Sequence, residues 1–206
     1  MKKEIQDKLK DIKSRFRLSM NGVTSQSMRE KGLGYKINWG VNLPVLKGIA
    51  AEYGKDYDLA VELWKEDIRE CKILATMIMP YDKMSEDLVE LWIDQMPNQE
   101  MAEMTSFNLF QHIKGIKDCA LMWLASESSI RQICGYHVLS RLLSKGEAFS
   151  EREINELIDQ GITALYDADM AVKHAAMNML SHFGDISETH YKILKSALKS
   201  HDLDIF

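Results

Sequence analysis

Along the 206-residue chain, apolar positions recur at helical spacing in segments of 10–18 residues, and strand-like alternation of β-branched residues is nearly absent. The spacing predicts a charged amphipathic helix over Met1–Phe16. A loop or broken helix follows over Asn21–Tyr35, where Gly22, Gly32 and Gly34 fall. Pro44 suits a first helical turn, so Leu43–Tyr53 is expected to be helical and to end at Gly54. Further helices are predicted over Asp56–Lys65, Asp67–Met79, Ser85–Gln95, Gln99–His112, Ile116–Ala125, Ser128–Lys145, Ser150–Tyr166, Asp169–Phe183 and Glu188–Lys199. Ser150 with Glu153 forms a capping box, whereas Ser85 with Leu88 lacks the reciprocal acid. The expectation is about eleven helices and no strands.

Three of these segments are variants of one unit: Leu63-Trp64-x3-Ile68-Arg69-x-Cys71, Met122-Trp123-x6-Ile130-Arg131-x-Ile133-Cys134, and Leu165-Tyr166-x5-Val172-Lys173-x-Ala175-Ala176. In each, an aromatic ends one helix, a short polar turn follows, and the next helix opens on an aliphatic–basic pair and then small residues. Small residues let paired helices approach closely, and aliphatics bury between neighbouring repeats. A plain bundle has no need of a recurring register. The expected fold is all-α, a HEAT-like helical repeat solenoid (an α-α superhelix). It would form one domain over 1–206, with an N-terminal helix and polar loop in 1–35 and repeats in 36–200.

Composition narrows the class. No apolar run approaches the roughly 20 residues that span a bilayer, and the charged N-terminus is not a secretory signal. Cys71, Cys119 and Cys134 lack a CxxC pair, and the six histidines show no metal-site spacing, so reduced buried thiols, no cofactor, no metal and a cytoplasmic location are expected. A net charge of −5 weighs mildly against a duplex binder, although a basic face matters more than the total. The four tryptophans read as core, and the 13 methionines read as core fillers, with a Met-rich partner face as the alternative.

Several stretches carry a resemblance. Asn38-Trp39-Gly40-Val41 stands before the proline-containing helix. Leu59-Ala60-x2-Leu63-Trp64 precedes Glu70-Cys71-Lys72-Ile73-Leu74-Ala75, and Trp123 precedes Ser126-Glu127 and Ile130-Arg131. In this order, from about Lys36 to Gly184, they resemble the AlkD-like DNA alkylation repair enzymes, alkylpurine DNA glycosylases built from HEAT-like repeats. The resemblance implies a concave, electropositive groove for duplex DNA bearing an alkylated purine. Tryptophans would pack on the sugar, and an aspartate would stabilise the charge that builds there as the glycosidic bond breaks.

The same resemblance locates the site and its substitutions. The family's Trp-Asp-x2-Asp motif falls on Gln99-Glu100-x2-Glu103, so Glu103, with Glu100, stands where the catalytic carboxylate is expected. The alternative is an acidic first turn favoured by the helix dipole, with Glu103 merely solvated. The family's backbone-contacting arginine falls on Arg131 or, one register along, on Gln132. Its last-repeat pattern falls on Val172 to Ser181, with Asn178 for tryptophan, His174 for lysine and Ser181 for arginine. Basic candidates for phosphate contact are Arg29, Lys31, Lys36, Lys72, Lys114, Lys117, Arg131 and Lys173, with Gln132, His174 and Asn178 beside them. The polar Asn21–Lys36 stretch, with Ser25, Gln26 and Ser27, suits phosphate contacts or forms a surface loop. The expectation is a monomeric, DNA-binding, repair-like protein, with weak or altered glycosylase chemistry. An inactive scaffold for a protein or a structured nucleic acid is the alternative.

Overall fold

The computed structural model describes residues 2–167 and 169–203. Met1, where the first predicted helix opens, lies outside them. The described residues hold twelve α-helices, two 3-10 turns and one isolated parallel bridge between Ile37 and Ile68. The chain divides into two compact units, Met1–Leu109 and Phe110–Phe206.

The first unit contains α1 (Lys2–Leu18), α2 (Gly22–Glu30), α3 (Leu43–Tyr53), α4 (Tyr57–Lys65), α5 (Arg69–Ile78), α6 (Glu86–Asp94) and α7 (Gln99–Asn108). In α1, Leu9, Ile12 and Phe16 form the buried stripe that its spacing predicts, and the helix packs on α4. Helix α5 lies against α3, α4 and α7. Residues 69–76 of α5 are buried without exception, its opening Arg69-Glu70 and Lys72 included. Buried charges need partners, and those partners organise this unit. Trp64 stacks on Trp92 at 4.0 Å between ring centroids and 2° between planes, and its indole N–H donates to Gln95 Oε1. Trp64, Trp92 and Trp123 are core residues, whereas Trp39 is half-buried. The methionines divide: Met79, Met101 and Met179 are sealed in, while Met20, Met122 and Met170 are exposed.

The second unit contains α8 (Ile116–Leu124), α9 (Ser129–Ser144), α10 (Glu151–Asp167), α11 (Met170–Gly184) and α12 (Glu188–Ser200). Helix α9 packs against both α8 and α11. A Cβ added at Gly135 would meet the Ala120 carbonyl oxygen at 2.8 Å, so the α8–α9 approach requires glycine there. This is the close packing of small residues that the repeat register implies.

The helix starts are capped as their sequences suggest. Asn42, Asp56, Ser85, Asn98, Ser128, Asp169 and Ser187 each accept a backbone N–H of their helix. The Ser150–Glu153 box forms in both directions: the Ser150 N–H donates to Glu153 Oε2 and the Glu153 N–H to Ser150 Oγ. Lys117, 2.9 Å away, and the two Ser150 donors pull the Glu153 carboxyl down to about 2. A depressed carboxylate stabilises the fold above its unfolded pKa, near 4.3, and loses that contribution as pH falls through the folded value. Glu153→Gln is therefore expected to be about 0.5–1 kcal/mol less stable than wild type at pH 6. The gap in urea midpoint should close as pH falls from 5 toward 2.

Three expectations need correction. Asn21–Tyr35, expected as a loop or broken helix, holds an unbroken helix over Gly22–Glu30 with Asn21 as its cap, and this is the twelfth helix. The helix expected from Asp67 opens at Arg69, because Asp67 and Ile68 pair with Ile37. The segment expected to run from Gln99 to His112 stops at Asn108 and continues as a 3-10 turn over Phe110–His112.

Candidate functional site

The acidic pair on α7 divides its roles. Glu100 receives one edge of the Arg69 guanidinium on both its oxygens, Nη2 to Oε1 at 2.6 Å and Nε to Oε2 at 2.9 Å. The Tyr35 hydroxyl donates to Glu100 Oε2 at 2.7 Å. Burial and then Glu100 raise the Tyr35 phenol above its ordinary range, so it remains a donor. Arg69 also donates to the Val41 carbonyl, while the fully buried Glu70 accepts from the backbone N–H groups of Trp39 and Val41. Burial opposes charge on Arg69, yet its carboxylate partners outweigh that and raise its pKa. Glu100 is therefore a structural anion that fastens α7 to α5 and to the 35–41 stretch. Glu103 lies in the next turn of α7 and is half-buried rather than fully solvated, and Gln99 is exposed.

In the second unit, Arg131, Gln132 and Lys173 are half-buried, and His174 and Asn178 are exposed. Gln132 donates to the Ser126 carbonyl and lines a hollow of about 300 Å³ with Glu127, Tyr136, Gln160 and Asp169. Asp169 caps α11, and the donated Val172 N–H is the main cause of its lowered pKa. His174, Asn178, Ser181 and His182 line a second hollow of about 370 Å³. Asn178 Oδ1 accepts from Ser140 Oγ at 3.0 Å, and that hydroxyl lies 2.5 Å from His182 Nδ1. The three substituted positions of the last repeat thus come together around polar side chains, and the structure places Asn178 where it hydrogen-bonds rather than stacks.

The cations also sort by environment. Lys72 is buried. Its ammonium donates to the Trp64 carbonyl at 2.7 Å and lies 4.7 Å over the Trp64 ring, and burial lowers its pKa. Lys117 is held by Glu153, by the Ala148 carbonyl and over the Phe149 ring. Both ammonium groups serve the fold. Lys36 lies 3.7 Å from Asp67. Arg29, Lys31 and Lys114 are exposed, and no side-chain ion pair or hydrogen bond holds them among the described residues.

A stronger basic feature lies at the N-terminus. Residues 1–36 hold ten Lys and Arg against four Asp and Glu, a net of +6 on a chain whose total is −5. Between Asp11 and Glu30 there is no acid at all. Part of this charge is neutralised: Lys8 by Asp56, Lys13 by Glu66, and Arg15 by a two-pronged pair with Glu52. Lys10, Arg29 and Lys31 are exposed without such partners among the described residues, and Arg17 lies 6.0 Å over the Trp39 ring. The signal was legible as charge asymmetry between the first 36 residues and the rest. No group of three or more His, Cys, Asp or Glu suited to a metal ion occurs among the described residues. No helix among them is long and apolar enough to cross a membrane.

Paired helices with small residues at their contacts, built on a recurring aromatic–turn–basic register, define a HEAT-like all-helical repeat protein. The chain belongs to the DNA alkylation repair enzyme family, whose model matches residues 13–204. A solved structure from "a new family of proteins related to the HEAT-like repeat DNA glycosylases with affinity for branched DNA structures" shares the fold. It matches with a TM-score of 0.84 at 20 % identity, covering 92 % of this chain and 81 % of that one. No curated protein matches the chain.

Proposed function

We propose that this chain binds DNA through the α1–α2 face of its first unit, with branched or otherwise structured DNA as the preferred ligand. The observation that carries this reading is the set of exposed cations Lys10, Arg29 and Lys31, unpaired among the described residues, in a segment of net charge +6. Phosphate contacts draw affinity from released counterions, so local charge outweighs the acidic total. Membership of a DNA repair family supports the reading. So does the structural relative's affinity for branched DNA.

Catalysis is the secondary reading. Glu103 keeps the acidic spacing and is half-buried, so it can supply an anion near a sugar cation. Gln99 and Asn178 offer no aromatic surface, and Glu100 is committed to Arg69. Efficient excision of simple alkylpurines is therefore not expected.

Anisotropy titrations on a labelled duplex and a four-way junction test the binding. Affinity should fall steeply with salt. Replacing Lys10, Arg29 and Lys31 with alanine should flatten the slope by about 0.7–0.9 for each phosphate that is no longer neutralised. No binding at about 50 mM salt would sink the DNA reading in favour of a protein-binding scaffold. Release of 7-methylguanine from methylated duplex separates the chemistry: release that Glu103→Gln abolishes would establish Glu103 as catalytic, and none from wild type would leave binding as the function.

A further inference from the structure

The turn between α1 and α2 exposes Leu18 by 86 %, Met20 by 60 % and Val23 by 82 %. Single exposed apolar side chains are ordinary, but here three fall within six residues around one turn. Its mount is rigid. The Asn21 N–H donates to the Trp39 carbonyl at 2.8 Å, and Asn21 Oδ1 accepts from the Thr24 N–H. Buried Ser25 donates to the Asn38 carbonyl at 2.7 Å. Gly40 approaches so closely that an added Cβ would lie 2.3 Å from the Asn21 carbonyl oxygen. Beneath the tip, Phe16 is sealed against Trp39 with ring centroids 5.8 Å apart. The chain therefore holds these side chains out in water on a fixed platform instead of folding them away.

Charge identifies what they meet. Arg17 precedes Leu18 directly, Arg29 and Lys31 stand at the far end of α2, no acid occurs between Asp11 and Glu30, and Glu30 itself accepts from Gln26. Gly22, Ser25, Gln26, Arg29 and Glu30 line a shallow recess along α2. A partner that is apolar at its centre and anionic at its rim matches this arrangement, and an unstacked base step between its phosphates has that chemistry. A bilayer fits less well. The apolar stripe of α1 is already buried in the protein, so three side chains remain rather than the long helix face that lies in a lipid interface.

We propose that Leu18, Met20 and Val23 form a wedge that packs against the open base step at a DNA branch point, with Arg29 and Lys31 on the adjacent phosphates. This rests on the DNA-binding reading above. An apolar wedge entering intact duplex must first unstack a step, whereas strand exchange at a branch interrupts the continuous stack and lowers that cost. The wedge therefore favours a junction over a duplex of equal length without reading sequence.

The test compares the protein with a triple variant, Leu18→Ser, Met20→Ser, Val23→Ser, using a four-way junction that carries 2-aminopurine at the branch and a matched duplex. All three sites are solvent-exposed, so the melting temperature should hold and serves as the folding control. The junction-over-duplex affinity ratio is expected to fall about tenfold, with duplex affinity and salt slope unchanged. The 2-aminopurine signal induced by the wild type should disappear. A second variant, Leu18→Phe with Val23→Phe, should retain both. An unchanged ratio in the serine variant would overturn the wedge while leaving DNA binding intact. A wild type that binds neither DNA would overturn both. Pelleting with phosphatidylserine-containing vesicles that requires the three apolar residues would reassign the tip to a membrane and also overturn the wedge.

Discussion

Replacing Arg69 with alanine is expected to destabilise the first unit by about 3–5 kcal/mol, the range seen when one member of a buried ion pair is removed. Arg69 is 3 % exposed, Glu70 is fully buried, and the Glu100 side chain is 16 % exposed. Without the guanidinium, two carboxylates are left uncompensated in a largely dry site. Glu70 would keep only the Trp39 and Val41 backbone donors, and Glu100 only the Tyr35 hydroxyl. Arg69→Lys should be intermediate, because an ammonium lacks the fixed fork that meets both Glu100 oxygens. Arg69→Met with Glu70→Gln and Glu100→Gln should recover much of the loss, since the uncompensated charges go with it. Urea melts followed by tryptophan fluorescence measure all three. A loss under about 1 kcal/mol for Arg69→Ala would mean that the network is open to water.

Gly40→Ala should have an effect of similar size, about 2–5 kcal/mol from the left-handed backbone and the forced contacts together. Gly40 has φ +69, and its added Cβ would meet backbone atoms on two sides, the Asn21 carbonyl oxygen at 2.3 Å and the Ser25 nitrogen at 2.8 Å. Neither can move without shifting the start of α2. Gly146 is the control: its φ is +76, but nothing lies within 4 Å of an added Cβ. Gly146→Ala should therefore cost only the backbone term, about 1–2 kcal/mol. Gly40→Ala should also weaken junction binding at temperatures where the protein remains folded, because it displaces the platform under Leu18, Met20 and Val23. Equal effects of the two substitutions on stability would show that the close approach at Gly40 relaxes freely.

The helices with a clear apolar period and a capping side chain were legible almost to their ends, as α4, α6, α9 and α11 show. What escaped depends on partners distant in sequence. Gly22 and Gly32 suggested a loop or broken helix, yet they bound an intact one: Gly22 opens α2 behind the Asn21 cap, and Gly32 follows it at φ +83. Asp67 and Ile68 fit a helical period, but pairing with Ile37 holds them extended. The candidate site was legible as a set of substitutions and much less as roles. Lys72 and Lys117 looked like phosphate ligands because sequence shows a charge and conceals the carbonyl or carboxylate it reaches. Arg69 occupies the same register in its repeat as Arg131 and Lys173 do in theirs, yet it alone of the three is fully enclosed. A repeat sets where a side chain begins, and its neighbours decide whether that side chain becomes a strut or a contact.

The stretch from Lys31 to Asn42 contains no helix and would pass for a hinge. It is fastened at Tyr35 by Glu100, at Ile37 by the backbone of Asp67 and Arg69, and at Trp39 and Val41 by Glu70. It is a beam. The α1–α2 turn, tied by Asn21 to Trp39, is thereby linked through Glu70 to α5 and through Tyr35 and Glu100 to α7.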